Sequence, residues 1–254
     1  VLKKVLIVAS VISFIEWFQK ENIDFLVDEM GCEVHVACNC DYMEDTSETR
    51  TREYMDRVEK KGVVFHNIAF ARSPFKKENI TAYKQLKALI DGGNFDLLHC
   101  HTPMASILAR FAARKARKRG MVLIYTCHGY HFFSGAPLKN WVMYYPVEKI
   151  CARMTDVLIN INGEDYRLAQ KKMRAKRIEY IPGVGINVDK FAETVVDSNE
   201  KRREAGIPED AFLVFSVGEL NVNKNHSTVV RAIASIPDEN IHYAVAGKGE
   251  YHDE

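Results

Sequence analysis

Short apolar runs rich in valine and isoleucine alternate with helix-like segments along the first 181 residues. Seven runs can be recognised, at 4–9, 33–38, 63–69, 96–100, 122–127, 156–161 and 177–181. The segments between them that predict helices are 14–29, 51–61, 81–91, 103–118, 138–154 and 164–173. Apolar strands separated by helices are typical of a parallel sheet covered on both faces. The sequence therefore predicts an α/β fold built on a doubly wound parallel sheet.

A break in this pattern predicts a second domain. Pro182, Gly183 and Gly185 interrupt the alternation, and 197–209 is polar and charged. We predict an N-terminal Rossmann-like domain at 1–185, a linker at 186–209 and the start of a second Rossmann-like domain at 210–254, with a strand at 212–217, a helix at 225–235 and a strand at 241–246. One βαβ unit is too small to fold alone. We therefore expect a fragment of a longer protein, with little activity by itself.

The composition of the chain limits the partners that the protein can bind and the cell compartment in which we expect it. The 35 Lys and Arg residues nearly balance the 34 Asp and Glu residues, so net charge gives no general attraction to nucleic acid. No run approaches the roughly 18 apolar residues of a membrane span, and the apolar core of the N-terminal segment is too short for a secretory signal. We predict a cytoplasmic protein that does not bind nucleic acid.

Two glycine-containing turns follow apolar runs, and they predict a ligand-binding site at the ends of strands. The run 212–217 ends in Gly218, and the polar loop after it carries Lys224 into a helix. Such a turn offers unpaired amides and a cation to a diphosphate. Upstream, the run 122–127 ends in His128 and Gly129, and His99-Cys-His-Thr-Pro103 closes another strand.

Together these segments resemble the retaining glycosyltransferases of GT-B architecture in family four, especially the bacterial capsular and exopolysaccharide members. The segments that carry the resemblance are 5–10, 99–103, 126–129, 180–185 with Asp189 and Phe191, 218–226 and 246–249. The resemblance covers nearly the whole chain. It implies a hexosyltransferase that uses a nucleotide sugar, expected to be a UDP-sugar, needs no metal or other cofactor, and retains the anomeric configuration. The implied acceptor is lipid-linked or a polysaccharide, with peripheral contact at the inner membrane surface.

The resemblance also implies roles for single residues. Catalytic roles fall to His128, which would contact the donor sugar, and to Lys224, which would stabilise the leaving diphosphate. The implied donor-binding residues are Gly218, Glu219, Asn223, Asn225 and Gly247. The implied acceptor-binding residues are His101, Thr102, Gly129, Tyr130 and His131. Two features depart from the family: the loop at 10–14 has no glycine, and Glu219 stands where arginine is common.

Other interpretations remain open at this stage. His99 and His101 alternate on one strand face, which permits a metal-dependent hydrolase, although further ligands are not evident. A non-catalytic module that binds a glycan or a partner is the second alternative. The chain has no Gly-x-Gly-x-x-Gly after its first strand, which argues against a dinucleotide oxidoreductase.

Two surface features have open interpretations. The segment 110–119 holds six cations and no acid, and with 171–177 it could be a solvated helix face or a patch for anionic lipid headgroups. We interpret Phe14, Trp17 and Phe18 as the core face of a helix, with contact to the lipid surface as the alternative.

Overall fold

The computed structural model describes residues 2–42, 48–71, 73–186 and 188–249. Two compact units divide the chain, Val1–Gly185 and Ile186–Glu254. The first contains all seven predicted strands, which are β1 Lys4–Val11, β2 Glu33–Asn39, β3 Val64–Asn67, β4 Leu97–Cys100, β5 Val122–Cys127, β6 Val157–Asn160 and β7 Arg177–Tyr180. They form one sheet in the order β3-β2-β1-β4-β5-β6-β7, and every pairing is parallel. The predicted doubly wound α/β sheet is confirmed.

Helices cover both faces of this sheet. Those of the first unit are α1 Ile12–Phe18, α2 Lys20–Asp24, α3 Glu48–Glu59, α4 Glu78–Gly93, α5 Pro103–Ala112, α6 Arg114–Lys118, α7 Leu138–Ala152 and α8 Gly163–Lys172. The single helix predicted at 14–29 is divided in the structure. It begins at Ile12 directly after β1, breaks at Gln19, whose φ is −119°, and ends in a π-helical turn at Phe25–Glu29.

Strand β1 lies at the centre of the core. Its side chains alternate between the two faces of the sheet. Leu6 and Val8 belong to the apolar cluster that includes residues of α4, α5 and β5. Val5 and Ile7 belong to the cluster that includes residues of α1, α3 and β2. All four are fully buried, so the strand is apolar throughout because both of its faces are covered.

The second unit contains α9 Val188–Ala192, α10 Ser198–Glu204, β8 Phe212–Val217, α11 His226–Ala234 and β9 Ile241–Ala246. The predicted strand–helix–strand order is confirmed, and β8 pairs with β9 in parallel from Phe212↔Ile241 to Val217↔Ala246. Two short helices, α9 and α10, lie in the segment predicted as a linker. Across the described residues, no helix is both long and apolar enough to cross a membrane.

Candidate functional site

The carboxyl ends of β1, β4 and β5 lie side by side because these strands are neighbours. The strand order runs from β1 to β2 on one side and from β1 to β4 on the other. In open parallel sheets, ligands bind in the crevice at the carboxyl edge where the order diverges in this way. The segments that carry Ser10, His101 and His128 meet at this edge.

Three histidines form a cluster there. The Nδ1 atom of His101 lies 3.2 Å from Nε2 of His128. The ring of His99 lies 4.1 Å from that of His101, and its Nε2 lies 2.8 Å from the hydroxyl of Thr126. Phe14 packs against the ring of His128 in an edge-to-face arrangement, with centroids 4.9 Å apart. The structure thus brings together the predicted residues His101 and His128.

These imidazoles are neutral at neutral pH. Burial lowers the pKa of His101 well below its ordinary range, and neighbouring His99 and His128 lower it further. Burial, with a contribution from His128, lowers the pKa of His99 to about 4. Burial also lowers the pKa of His128. A neutral imidazole has one nitrogen that donates a hydrogen bond and one that accepts.

The surroundings of His101 indicate which ring nitrogens of His101 and His128 carry a proton. Its Nε2 atom is buried and has no hydrogen-bond partner among the described residues. A buried N–H without a partner is rarer than an unpaired acceptor, so we assign the proton of His101 to Nδ1. That N–H then donates to Nε2 of His128, and His128 carries its own proton on Nδ1. His128 is therefore a hydrogen-bond donor through Nδ1.

Thr102 joins β4 to α5 through a strained backbone. Its φ of 56° and ψ of 143° lie in a region that β-branched residues rarely adopt. The Thr102 hydroxyl accepts the backbone N–H of Ser10 at 3.0 Å and pairs with the Ser10 hydroxyl at 2.7 Å. The segment 10–14 is not the loop that the sequence predicted, because β1 extends to Val11 and α1 begins at Ile12. Ser10 lies near the end of β1, and its contact with Thr102 joins the ends of β1 and β4. No sequence pattern predicted the contact between Ser10 and Thr102.

A cavity of about 890 Å³ opens beside these residues. Its walls include the predicted acceptor residues Thr102, Gly129, Tyr130 and His131. Tyr130 is buried and stacks on Phe132, and the Tyr130 backbone N–H donates to Asp165 at 3.0 Å. Gly129 has a φ of 121°, which a side chain would strain. His131 is exposed and packs on Tyr144 with ring centroids 4.6 Å apart.

The interpretation of Phe14, Trp17 and Phe18 as a core face holds only for Phe14, which packs against the apolar cluster that contains Val5 and Ile7. All three line this cavity, and Trp17 and Phe18 are 45% and 37% exposed. The helical periodicity correctly marks one apolar face of α1, but it does not say whether that face meets the core or a cavity.

The cationic segment 110–119 is not a uniform surface patch. Arg110 is fully buried, and its guanidinium makes two hydrogen bonds to Glu148, at 2.8 and 3.0 Å, above the ring of Tyr125. Arg117 forms a two-bond ion pair with Asp156. The exposed cations of the segment are Arg114, Lys115, Lys118 and Arg119, which lie in α6 or directly after it, shortly before β5 begins.

The exposed cations of 171–177 occupy the same edge of the sheet, because they lie in the last turn of α8, in the segment after it and at the first residue of β7. Lys176 also pairs with Asp156 at 2.7 Å. The exposed cations of both segments therefore lie at the amino edge of the sheet, opposite the cavity, whereas Arg110 is buried beside cavity-lining Glu148. A patch for anionic lipid headgroups at these cations would therefore lie away from the cavity, and that hypothesis stays a prediction.

In the second unit, the loop after β8 folds around Gly218. The methylenes of Lys224 lie over Gly218, because a Cβ at that glycine would be 3.6–3.7 Å from them. A Cβ at Gly247 would overlap the carbonyl oxygen of Gly218. The Gly218 N–H donates to Ala246 at 3.0 Å, and the Leu220 N–H donates to Lys248 at 2.9 Å. Gly247 is thus needed for the close approach of the loops after β8 and β9.

Asn221, which the sequence did not single out, organises the same loop. Its side-chain carbonyl accepts the Lys224 backbone N–H at 3.0 Å, and its amide donates to the Glu219 carboxylate at 2.6 Å. Such Asn turns could be anticipated, since Asn side chains often bond backbone amides nearby. The Glu219 carboxylate is therefore held by Asn221, and no ion pair joins it to Lys224 in the described part of the chain.

The N-terminus of α11 follows this loop. Asn225 has a left-handed φ of 53°, and its side chain accepts from the hydroxyls of Ser227 and Thr228 without capping a helix amide. First-turn amides without a side-chain cap stay available to an anion. Asn223 is exposed in the turn before Lys224. The structure thus gathers the six predicted residues of this unit into two adjacent loops and a helix start.

His99 and His101 do share one face, as the hydrolase alternative requires. However, Nε2 of His99 contacts Thr126, and the partner of His101 is His128. Within the ranges that the structure describes, no three His, Cys, Asp or Glu side chains are placed to hold a metal ion. The hydrolase alternative receives no support from this geometry.

Comparison with known proteins identifies the family. Residues 21–190 match Glycosyltransferase Family 4, and residues 197–254 match Glycosyl transferases group 1. EpsD of Bacillus subtilis (strain 168), a protein named as a glycosyltransferase, is 37% identical over 97% of this chain and 62% of its own length. The Escherichia coli UDP-Gal:alpha-D-GlcNAc-diphosphoundecaprenol alpha-1,3-galactosyltransferase is 28% identical over 68% of this chain and 47% of the enzyme.

Solved structures agree on the fold. A crystal structure of a glycosyltransferase from Rickettsia africae superposes with a TM-score of 0.64 at 15% identity, over 99% of this chain and 62% of that one. The chain thus spans about three fifths of the length of EpsD and of the Rickettsia protein. The predicted GT-B type of α/β fold is confirmed. Because the family match covers more than half of the chain, and EpsD aligns with nearly all of it, this chain belongs to glycosyltransferase family 4.

Proposed function

We propose that this chain supplies the acceptor-side domain and the first part of the donor-side domain of a glycosyltransferase. The complete enzyme would transfer a sugar from a UDP-sugar to a lipid-linked or polysaccharide acceptor, with retention of configuration and without a metal. The observation that carries the proposal is the loop of the second unit, where Lys224, Gly218 and the uncapped start of α11 adjoin. Family membership supports the same activity.

The loop after β8, which carries Lys224, suits a departing diphosphate. When the bond between the anomeric carbon and the phosphate breaks, negative charge grows on the diphosphate. Fixed donors aimed at that charge are the strongest electrostatic aid, and one donor is typically worth about 3 kcal/mol. Lys224 would supply a full positive charge, and the first amides of α11 would supply hydrogen bonds. Glu219 does not compete for the lysine because Asn221 holds its carboxylate.

His128 would act on the sugar. Its Nδ1–H, fixed by the bond from His101, would donate to a hydroxyl of the donor sugar, and its neutral ring avoids repelling the oxocarbenium-like sugar of the transition state. Because His101 acts through His128, it is a positioning residue. Gly129, Tyr130, His131 and Thr102 would contact the acceptor at the adjoining cavity.

We also propose a cytoplasmic location with peripheral contact at the inner membrane surface. A lipid-linked acceptor would require such contact, and the E. coli relative is named for a diphosphoundecaprenol-linked acceptor. The exposed aromatic side chains of Trp17 and Phe18 at the cavity favour contact at the carboxyl edge of the sheet rather than at the basic amino edge.

Thermal stabilisation by UDP tests the donor site directly. We expect UDP to raise the melting temperature of the chain, because its diphosphate would bind Lys224 and the first amides of α11. NAD and zinc are the controls and should not raise it, since no Gly-x-Gly-x-x-Gly follows the first strand and the described residues form no three-ligand metal group. Lys224→Met should remove the rise. Lys201→Met, which removes an exposed lysine paired with Glu204 on α10, should keep it.

Two results would count against the proposal. Equal stabilisation of Lys224→Met and the unchanged chain would refute the role of Lys224, and a response to zinc alone would favour the histidine-based hydrolase. UDP binding without sugar transfer by the complete protein would instead favour the non-catalytic binding module.

A further inference from the structure

The cavity of the first unit has predominantly apolar walls. Its aromatic and aliphatic lining side chains come from α1, from 74–75, from the start of α5, from the segment after β5 and from α7, and they include Trp17, Phe75, Ile107, Phe132 and Val147. Phe75 is 83% exposed and Trp17 is 45% exposed, so apolar surface continues to the rim. The volume of about 890 Å³ falls within the range of roughly 300–1,000 Å³ that is typical of small-molecule sites.

Few polar side chains line these walls, and three of them are already paired. The hydroxyls of Ser10 and Thr102 pair with each other, and the Glu148 carboxylate is held by Arg110. Among the residues that the structure describes, no lysine or arginine lines the cavity. A saccharide inside it would leave hydroxyls without partners, and a diphosphate would be buried without a counter-charge, and both are costly. The apolar walls therefore favour an apolar portion of an acceptor in the interior over its charged and sugar portions.

We propose that this cavity holds the first isoprene units of a polyisoprenyl diphosphate-linked acceptor. The inference rests on the proposed transfer to a lipid-linked acceptor and names the part of the acceptor that the cavity takes. Burying an apolar chain against aromatic and aliphatic walls is favourable in proportion to the area removed from water.

Two lysines next to a residue at the rim of the cavity would supply positive charge to the diphosphate. Lys76 and Lys77 follow the lining residue Phe75 directly, and both are exposed. Neither takes part in an ion pair within the described stretches of the chain. They would meet the diphosphate as it leaves the apolar interior. Gly129, which also lines the cavity, is adjacent to His128, so the attached saccharide would emerge beside the candidate catalytic histidine.

Tryptophan fluorescence provides a test that needs no donor and no turnover. The chain has two tryptophans, and Trp17 lines the cavity. We expect farnesyl diphosphate to change the fluorescence in a saturable manner. Inorganic diphosphate and maltotriose should not change it, and Trp17→Phe should lose most of the signal.

Two variants on one helix make a matched comparison. Val147→Trp fills the cavity from α7, whereas Val142→Trp places the same side chain on an exposed part of α7 outside the lining. We expect Val147→Trp to weaken farnesyl diphosphate binding by about tenfold or more, and Val142→Trp to leave it unchanged. Circular dichroism checks that each variant is folded, and Met104→Trp, on α5, replaces Val147→Trp if it is not.

A third measurement uses the unchanged chain. A benzophenone-bearing farnesyl diphosphate analogue should crosslink to α1, α5 or α7. Labelling confined to other segments, equal binding of inorganic diphosphate, or equal effects of the two tryptophan variants would overturn the proposal. Because UDP takes no part, failure here leaves the Lys224 test unaffected, and failure of UDP binding leaves this titration unaffected.

Discussion

The buried ion pair between Arg110 and Glu148, beside the cavity of the first unit, leads to a quantitative prediction. Arg110 is fully buried and Glu148 is 8% exposed. The guanidinium binds both carboxylate oxygens, and it also donates to the hydroxyl and carbonyl oxygens of Ser106 at 3.1 Å. Replacing Glu148 by leucine removes the only carboxylate that this guanidinium contacts in the described structure.

The expected loss is large because a buried cation is left without a counter-charge. Breaking such a pair from one side typically costs about 3–5 kcal/mol of unfolding free energy. The double variant Arg110→Met, Glu148→Leu removes both charges and should recover most of that loss, since apolar replacements of buried ion pairs are often neutral. Glu48→Leu is the control: it breaks an exposed pair with Arg52 and should cost at most about 1 kcal/mol.

Urea unfolding followed by tryptophan fluorescence measures these free energies. Trp17 and Trp141 both lie in the first unit, so the signal reports the unit that contains the pair. If Glu148→Leu costs no more than Glu48→Leu, the guanidinium is not desolvated as its burial implies. A double variant no more stable than Glu148→Leu would show that the pair contributes packing that leucine and methionine cannot replace.

Three further substitutions test other parts of the structure. Gly247→Ala should destabilise the second unit by about 2 kcal/mol or more in urea unfolding followed by circular dichroism, because its Cβ would overlap the Gly218 carbonyl, whereas an unaltered midpoint would disprove the close approach. Thr102→Val should cost about 1–3 kcal/mol in the same assay, because the buried Ser10 N–H loses its acceptor, and a neutral effect would argue against this bond. Although burial opposes ionisation, hydrogen bonds from Arg117, Lys176 and the Leu123 backbone hold the pKa of Asp156 well below its usual range. Ionised Asp156 therefore contributes its full stability above the unfolded pKa of about 3.9, and this contribution is lost as pH falls below that value. Asp156→Asn should make the unfolding free energy depend less on pH in the acid range, and an unchanged pH dependence would contradict the lowered pKa.

Much of the fold could be predicted because local patterns determine it. The central strand β1 is apolar at successive positions because both of its faces are covered. This continuous pattern distinguishes a strand buried on both faces from a strand with one face in water, in which apolar and polar residues alternate. The meeting of His101 and His128 follows from topology, since both follow neighbouring parallel strands. The break at Gln19 has no comparable signal, because no proline or glycine marks it.

The side chains around the site were harder to predict because their roles depend on distant partners. Arg110 is part of a cationic run, yet its partner Glu148 is 38 residues away and no local spacing connects them. Trp17 has the periodicity of a core residue, and only the arrangement of α5 and α7 reveals the cavity that it faces. Asn221 is an exception, since its bond to Lys224 spans three residues and is a recognised turn pattern.

The most direct test of the central claim is the turnover number of the complete protein with a UDP-sugar and a polyisoprenyl diphosphate-linked acceptor. If Lys224 stabilises the departing diphosphate, Lys224→Ala should lower kcat by about 10²–10³-fold while the unfolding free energy changes little, since the side chain is exposed. His128→Ala should also lower kcat far more than it lowers stability. Turnover at the unchanged rate by both variants would contradict the account.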